Sequence, residues 1–259
     1  MPVFAFDIET IPDVELGRRI YDLDGLSDKE VGYVMQAKRR EATGSEFLSY
    51  EQQRIVAISV GLRTRESFKI WSLGERDAPE AEIIQRFFDG IDKYTPDLVS
   101  WNGGGFDLPV LHYRALRHGI QAPRYWEAGD EDQAFRWNNY LNRYHARHLD
   151  LMDVLSSFQA RARVSLQSAA MLLGLPGKLG MSGDKVWDAY LKGEIDAIRN
   201  YCETDVLNTF LIYLRFELMR GHLNRDEFAA ETELVRESLR AQPKPHFEEF
   251  LAAWPEPQR

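Results

Sequence analysis

Short apolar runs separated by longer helix-patterned stretches set the outline of this chain. Residues 2–8, PVFAFDI, would be apolar on both faces when extended, the pattern of a strand buried at the centre of a sheet. RIVAISVGL (54–62) and ESFKIWSL (66–73) are two further strands, and the short connection Arg63–Arg65 predicts a hairpin between them. DLVSWN (97–102) and the start of HLDLMDVL (148–155), which runs from strand into helix, complete a set of five. Apolar residues recur at helical spacing in EAEIIQRFFDGIDKY (80–94) and in SLQSAAMLLGL (165–175), the latter ended by Pro176-Gly177. LPVLHYRALRHGI (108–120) is also helical, with Pro109 in the first turn, where its missing N–H is tolerated.

Residues 184–221 continue in helical pattern with a break at Gly193, and residues 222–251 form one or two more helices, frayed by Pro243, Pro245, Pro255 and Pro257. Residues 13–53 differ from their surroundings. They are charged, helix-prone and punctuated by Gly17, Gly25, Gly32 and Gly44, which predicts a helical insertion after the first strand. The expectation is an α/β fold: a mixed five-stranded sheet flanked by helices, with that insertion and a helical C-terminal tail. Residues 1–220 would form the domain proper, and 221–259 an extension packed on it.

A 44% hydrophobic content over 259 residues is enough for a core. The net charge of −9 argues against non-specific coating of nucleic acid or an anionic membrane, while leaving room for a local basic groove. Cys202 is the one cysteine, so neither an internal disulfide nor a cysteine zinc cluster is available, and a reducing compartment fits. The first residues, MPVFAFDIET, carry no basic n-region, and no apolar run is long enough to span a bilayer. A cytoplasmic protein without a membrane partner is expected.

The candidate chemistry is acidic. Three D-x-E triplets occur, Asp7/Glu9, Asp13/Glu15 and Asp28/Glu30, and only the first ends an apolar strand. Alternation along a strand puts Asp7 and Glu9 on one face, where like charges raise each other's pKa and a divalent cation is a natural partner. In WNGGGFDLPVL (101–111) a strand ends, glycines turn the chain, and Asp107 opens a helix, either as an N-cap or as part of a site. In NYCETDVLNT (200–209), Tyr201 and Asp205 lie four apart and share a helix face, as a solvated pair or as a third element of the same site.

Taken together, FDIET, WNGGGFDLPVL and YCETDVLNT resemble the DEDDy 3′→5′ exonucleases of ribonuclease-H-like fold. They most resemble the predicted exonucleases related to the exonuclease domain of family-B DNA polymerases. The stretch from Gly174 to Val206 is similar to the same family, and the resemblance covers residues 1 to about 220. A related group places histidine five positions before the last aspartate; Asn200 stands there, which fits the tyrosine type.

The resemblance implies two divalent ions, Mg²⁺ or Mn²⁺. Asp7, Glu9 and Asp205 would hold the first; Asp7 would bridge to the second, which Asp107 helps hold. Tyr201 would orient the attacking water. Thr10 and Ile11 would touch the terminal nucleotide, with Asn102 and Phe106 also at the substrate and Phe106 stacking on or wedging against a base. The implied partner is single-stranded nucleic acid, with DNA favoured over RNA, and an association with replication or repair proteins is compatible with it.

Residues 135–148, FRWNNYLNRYHARH, alternate aromatics with Arg136, Arg143 and Arg147. They suit either single-strand binding or a packed surface loop. Lys38, Arg39, Arg40, Lys178 and Lys185 are further candidates for phosphate contacts or solvated surface. The rivals are a zinc hydrolase built on His145, His148, Asp150 and Asp153, in which the two histidines otherwise read as exposed loop residues; a ribonuclease D-type RNA exonuclease; and a non-catalytic binding module.

Overall fold

A computed structural model describes residues 2–255, so Pro257 of the frayed tail lies outside the described residues. Five strands form one sheet: β1 (Val3–Pro12), β2 (Gln53–Arg63), β3 (Phe68–Ser72), β4 (Asp97–Ser100) and β5 (His148–Asp150). The helices are α1 (Val14–Tyr21), α2 (Asp28–Thr43), α3 (Glu80–Tyr94), α4 (Asp107–His118), α5 (Pro123–Trp126), α6 (Leu151–Leu155), α7 (Leu166–Leu172), α8 (Val186–Leu191), α9 (Ile195–Met219), α10 (Arg225–Arg240) and α11 (Pro245–Ala253). The strand order is β3-β2-β1-β4-β5. The first three strands form an antiparallel meander, and β4 and β5 add in parallel beside β1. This is the mixed, helix-flanked sheet of a ribonuclease-H-like fold.

β1 runs four residues beyond the apolar segment that predicted it. A register shift between Glu9 and Thr10 skips Val56, and Thr10–Pro12 then pair with Gln53–Ile55. A bulge of this kind twists a strand and re-aims its side chains.

Alternation along β1 divides the core. Phe4, Phe6 and Ile8 pack with Ile84, Phe87 and Phe88 of α3 and with Leu108 and Leu111 of α4. Val3 and Ala5 face the other way, against Val206, Leu207 and Phe210 of α9. Asp7 and Glu9 continue this second row, so the period of two aims both carboxylates toward α9. α9 is buried on most sides because β1 and β2 lie along it, α7 and α8 flank it, and the tail helices α10 and α11 cover it.

The insertion forms a third cluster. Ile11, Val31 and Met35 pack with Trp187 of α8 and with Ile198, Tyr201 and Cys202 of α9. Gly32 permits this close approach, since a Cβ there would come within 2.8 Å of the Trp187 indole. A buried ion network secures the opposite side of the sheet. Arg114 of α4 bonds both Asp13, at the end of β1, and Glu80 of α3, and Glu80 also accepts the Ile55 N–H at 2.7 Å.

The irregular stretch 121–147 carries only α5 and a short 3₁₀ turn, and it is anchored by buried Tyr125, Phe135 and Tyr140. Arg147, a candidate phosphate contact, is buried instead. Its guanidinium lies 3.8 Å over the Phe135 ring and donates to the Asn138 carbonyl, because the loop needs a filler that can also satisfy its backbone. His148, expected as an exposed loop residue, is a buried residue of β5, and its Nε2 meets Ser100 Oγ at 2.8 Å. His145 is half-buried against Asn139. Among the described residues, no helix is long and apolar enough to cross a membrane.

Candidate active site

The three D-x-E triplets separate once their partners are known. Asp13 and Glu15 are neutralised by Arg114 and Arg117. Asp28 pairs with Arg18, and Glu30 closes a capping box with Ser27 at the start of α2. Among the described residues, Asp7 and Glu9 have no ion pair of this kind. Their nearest company includes Cys202 of α9, whose thiol donates to the Asp7 carbonyl at 3.3 Å and lies 3.5 Å from Asp7 Oδ2. Ligand atoms of Asp7, Glu9 and Cys202 all lie within 4.8 Å of one another.

Asp107 is not the N-cap of α4. Phe106 takes the cap position and Asp107 is the first helical residue, 4% exposed. Its Oδ1 accepts the backbone N–H of Ile8 at 3.1 Å, which ties α4 to the strand that carries Asp7 and Glu9. The β1–β4 pairing covers Val3 to Ala5 and does not extend to Ile8, which leaves that amide for Asp107.

The turn before Asp107 is held by a residue that the sequence offered only for the zinc alternative. Asp150, at the end of β5, accepts the N–H groups of Asn102 and Gly104, each at 2.9 Å. Asn102 adopts the left-handed region, φ 66°, which asparagine tolerates. Gly105 lies against its side chain, since a Cβ there would meet Asn102 Oδ1 at 2.5 Å. The structure therefore gives Asn102 a turn-forming role.

Tyr201 and Asp205 lie on α9 one turn apart, each 5% exposed. Asp205 Oδ1 is buried without a hydrogen-bond partner. Lys178, in the loop after α7, stands 5.3 Å over the Tyr201 ring, and its charge reaches Glu9 and Asp205.

The electrostatics tie these groups together. Desolvation, then the charges of Asp107, Glu9 and Asp205, hold the Asp7 carboxyl well above the usual range. Glu9 is raised in the same way by burial and by Asp205. Burial pushes Asp107 up to about 7 and Asp205 to about 6, the latter restrained by Lys178 and by the Tyr201 hydroxyl. Burial and the Asp205, Glu9 and Asp7 charges push the Tyr201 phenol far up, so it stays protonated. Four crowded carboxylates facing one lysine, with one orphaned oxygen, form an oxygen-rich donor set that suits a hard divalent cation.

The other expected site residues divide. Thr10 is half-buried and its hydroxyl donates to Gln53 Oε1 at 2.9 Å, beside the acids. Ile11 is 2% exposed and its side chain belongs to the insertion cluster, continuing along β1 the row of Asp7 and Glu9. Phe106 is half-buried beneath Phe47 and Tyr50. The residues of the zinc alternative do not form a site. His145 engages Asn139, His148 meets Ser100, Asp150 caps the 102–104 turn, and Asp153 pairs with Arg143 and Arg163.

The mixed sheet and its group of buried acids fit an exonuclease-related domain. Residues 45–254 match the family described as predicted 3′-5′ exonucleases related to the exonuclease domain of PolB, and the chain belongs to that family. The match begins after the insertion helices, so the strand bearing Asp7 and Glu9 lies outside it. The chain is also similar to a DNA polymerase of Archaeoglobus fulgidus, at 27% identity over 165 residues. That alignment takes in 62% of this chain and 20% of the polymerase, so the chain spans about a fifth of the length of that relative.

Proposed function

We propose that this protein is a metal-dependent 3′→5′ exonuclease that trims single-stranded DNA and releases nucleoside 5′-monophosphates. The observation that carries this reading is the contrast among the triplets. Asp13/Glu15 and Asp28/Glu30 are held by arginines or a helix cap, whereas Asp7/Glu9 lies within electrostatic reach of Asp107 and Asp205 and, among the described residues, pairs with no arginine. In this reading residues 1–220 form the exonuclease domain and 221–259 an extension of the same domain.

Asp7, Glu9 and Asp205 would hold one Mg²⁺ or Mn²⁺ ion, and Asp7 with Asp107 a second. When bound, such ions supply charge neutralisation at the scissile phosphate and lower the pKa of water. Tyr201, kept protonated by its surroundings, orients the attacking water rather than deprotonating it. Water oxygen bonds to phosphorus, the bond to the 3′-oxygen of the preceding nucleotide breaks, and that oxygen takes up a proton. Lys178 lies where it can face the phosphate charge. The similarity to a DNA polymerase supports DNA over RNA, with trimming of 3′ ends in replication or repair as the setting.

The test is digestion of 5′-labelled single-stranded DNA and RNA of equal sequence in Mg²⁺, Mn²⁺ or EDTA. A ladder shortening from the 3′ end is expected, faster on DNA, and lost with EDTA or with Asp7→Ala or Asp205→Ala. Tyr201→Phe should slow cleavage by about a hundredfold while leaving metal affinity in place. Internal cuts, or full activity of Asp205→Ala, would count against the assignment.

A further inference from the structure

We propose that the exposed side of residues 136–163, which carries Trp137 and Tyr144 among arginines, is a track for the single strand on the 5′ side of the cleaved end. This rests on the exonuclease reading and extends it from the terminal nucleotide to the length of strand that the protein holds.

The arginine- and aromatic-rich loop before β5 sorts its side chains by side. Phe135, Tyr140 and Arg147 pack inward. Two asparagines then close the loop. Asn138 Oδ1 accepts the N–H groups of Ala146 and Arg147, and Asn139 Oδ1 accepts those of Leu141 and Asn142. The closed loop leaves Trp137 83% exposed on one arm and Tyr144 71% exposed on the other. Exposed Arg136 adjoins Trp137, and among the described residues neither it nor exposed Arg161 has an ion-pair partner.

Tyr144 is a fixed ring. It meets Phe158 edge-on with centroids 5.0 Å apart, and the Arg143 guanidinium lies 5.0 Å from the same Phe158 ring. Ser157 and Phe158 both take left-handed backbone angles, φ 51° and 60°, which such side chains adopt only at a cost. The Phe158 N–H donates back to the Asp153 carbonyl at 2.7 Å, so the strained turn holds an aromatic against Tyr144. Arg143 and Arg163 share one acid, Asp153, each at 2.6 Å, which leaves positive charge in excess.

Charge and shape select the occupant. Residues 136–163 hold five arginines and two aspartates, in a chain whose net charge is −9. Open aromatic faces beside guanidinium groups suit unpaired bases that stack and phosphates that follow the cations. A purely apolar protein partner would have no use for the arginines, and a duplex would keep its base faces from Trp137 and Tyr144. The surface is also tied to the cleft by short stretches of chain. Arg163 stands two residues before Ser165, the N-cap of α7; Gln167 in the first turn of α7 accepts the Lys178 N–H, and Lys178 lies over Tyr201. On the other side Asp150, three residues before Asp153, holds the turn that leads to Asp107.

The test is competition by unlabelled oligothymidylates of about four and about sixteen nucleotides against a labelled strand, in Ca²⁺ so that binding is read apart from cleavage. Each competitor has one 3′ end, and only the longer one reaches the track. Wild-type protein should bind the longer strand about tenfold or more tightly than the shorter. Trp137→Ala combined with Tyr144→Ala should remove most of that ratio, and Trp137→Phe alone should keep most of it. Arg136→Gln combined with Arg161→Gln should lower the slope of log Kd against log salt for the longer strand by about 1.4. Melting curves should match wild type, because all four side chains are exposed. Equal binding of the two lengths by wild type, or an unchanged ratio and slope in the variants, would overturn the track and leave the exonuclease reading intact; the second outcome is the one a protein-docking surface would give. Failure of wild-type protein to digest either strand in Mg²⁺ or Mn²⁺ would overturn both.

Discussion

The backbone amide of Ile8 donates to Asp107 Oδ1 over 3.1 Å, joining two residues 99 positions apart. One carboxylate oxygen thus locks α4 to β1, and the other is left for the cleft. Two substitutions separate these duties. Asp107→Asn keeps an acceptor for Ile8 and removes a charge from a crowded site. It should match or exceed wild-type stability without metal. Asp107→Ala leaves a buried N–H unsatisfied and should be less stable than Asp107→Asn by about 1–3 kcal/mol. Both should abolish cleavage. Denaturant melts of the two variants in EDTA give the comparison, and equal stability would show that the bond to Ile8 contributes nothing.

Metal binding should be strongly pH-dependent, with a sign that follows from the acids. Asp107 titrates near 7 and Asp205 near 6 in the fold, and Asp7 and Glu9 are also raised, against unfolded values of about 4. Groups raised in this way weaken the metal-free protein above their folded pKa, and that penalty fades as pH falls from about 7 toward 4. Buried His112 and His148, both lowered to about 4, act in the opposite direction: their neutral forms favour the fold above about 6.5, and this is lost as pH falls toward 4. Comparing melts with and without Mn²⁺ at each pH cancels the histidines, which lie outside the cluster. The rise in Tm on adding metal should be largest near pH 8 and shrink steadily below pH 6, as protons compete for the carboxylates. A rise independent of pH would mean that the metal binds elsewhere.

Much of this site is legible in the chain because it depends on local periodicity. The run PVFAFDIE implies a central strand, and alternation alone places Asp7 and Glu9 on one face; helical spacing does the same for Tyr201 and Asp205. What lies between the motifs is harder to see, because it depends on contacts distant in sequence. Nothing near Asp13 announces that Arg114 will neutralise it, 101 positions away. Nothing near Asp150 shows that it caps the turn at Asn102 and Gly104. Ile11 stands beside the motif, yet its side chain is core, packed with Val31, Met35 and Trp187 from distant parts of the chain. Arg147 and His148 look like surface chemistry in an arginine-rich stretch, yet the sheet edge and the Phe135 ring bury them.

Glu203 is the clearest case of such a distant contact. It sits midway between Tyr201 and Asp205 and, at about 100° per residue, points away from the cleft. There its carboxylate, 3% exposed, accepts the N–H and hydroxyl of Ser72, each at 2.9 Å. It also meets Lys244 at 2.9 Å and His246 at 2.8 Å, both at the start of α11. Burial alone would raise its pKa; the His246 and Lys244 contacts more than reverse this and hold it below the ordinary value. Its contribution to stability is therefore present above an unfolded value of about 4.3 and lost as pH falls through the lower folded value. Glu203→Ala removes one partner of a buried ionic cluster and should cost about 3–5 kcal/mol. Lys244→Ala, at a position 39% exposed, should cost less than about 1 kcal/mol. If the cluster fixes the rotation of α9, Glu203→Ala should also lower kcat at temperatures where the protein remains folded, and Glu203→Gln, which can still accept from Ser72, should recover part of it. Steady-state rates measured well below each variant's Tm decide this. Wild-type kcat in a destabilised Glu203→Ala would leave the cluster as a fastener of the tail with no influence on the cleft.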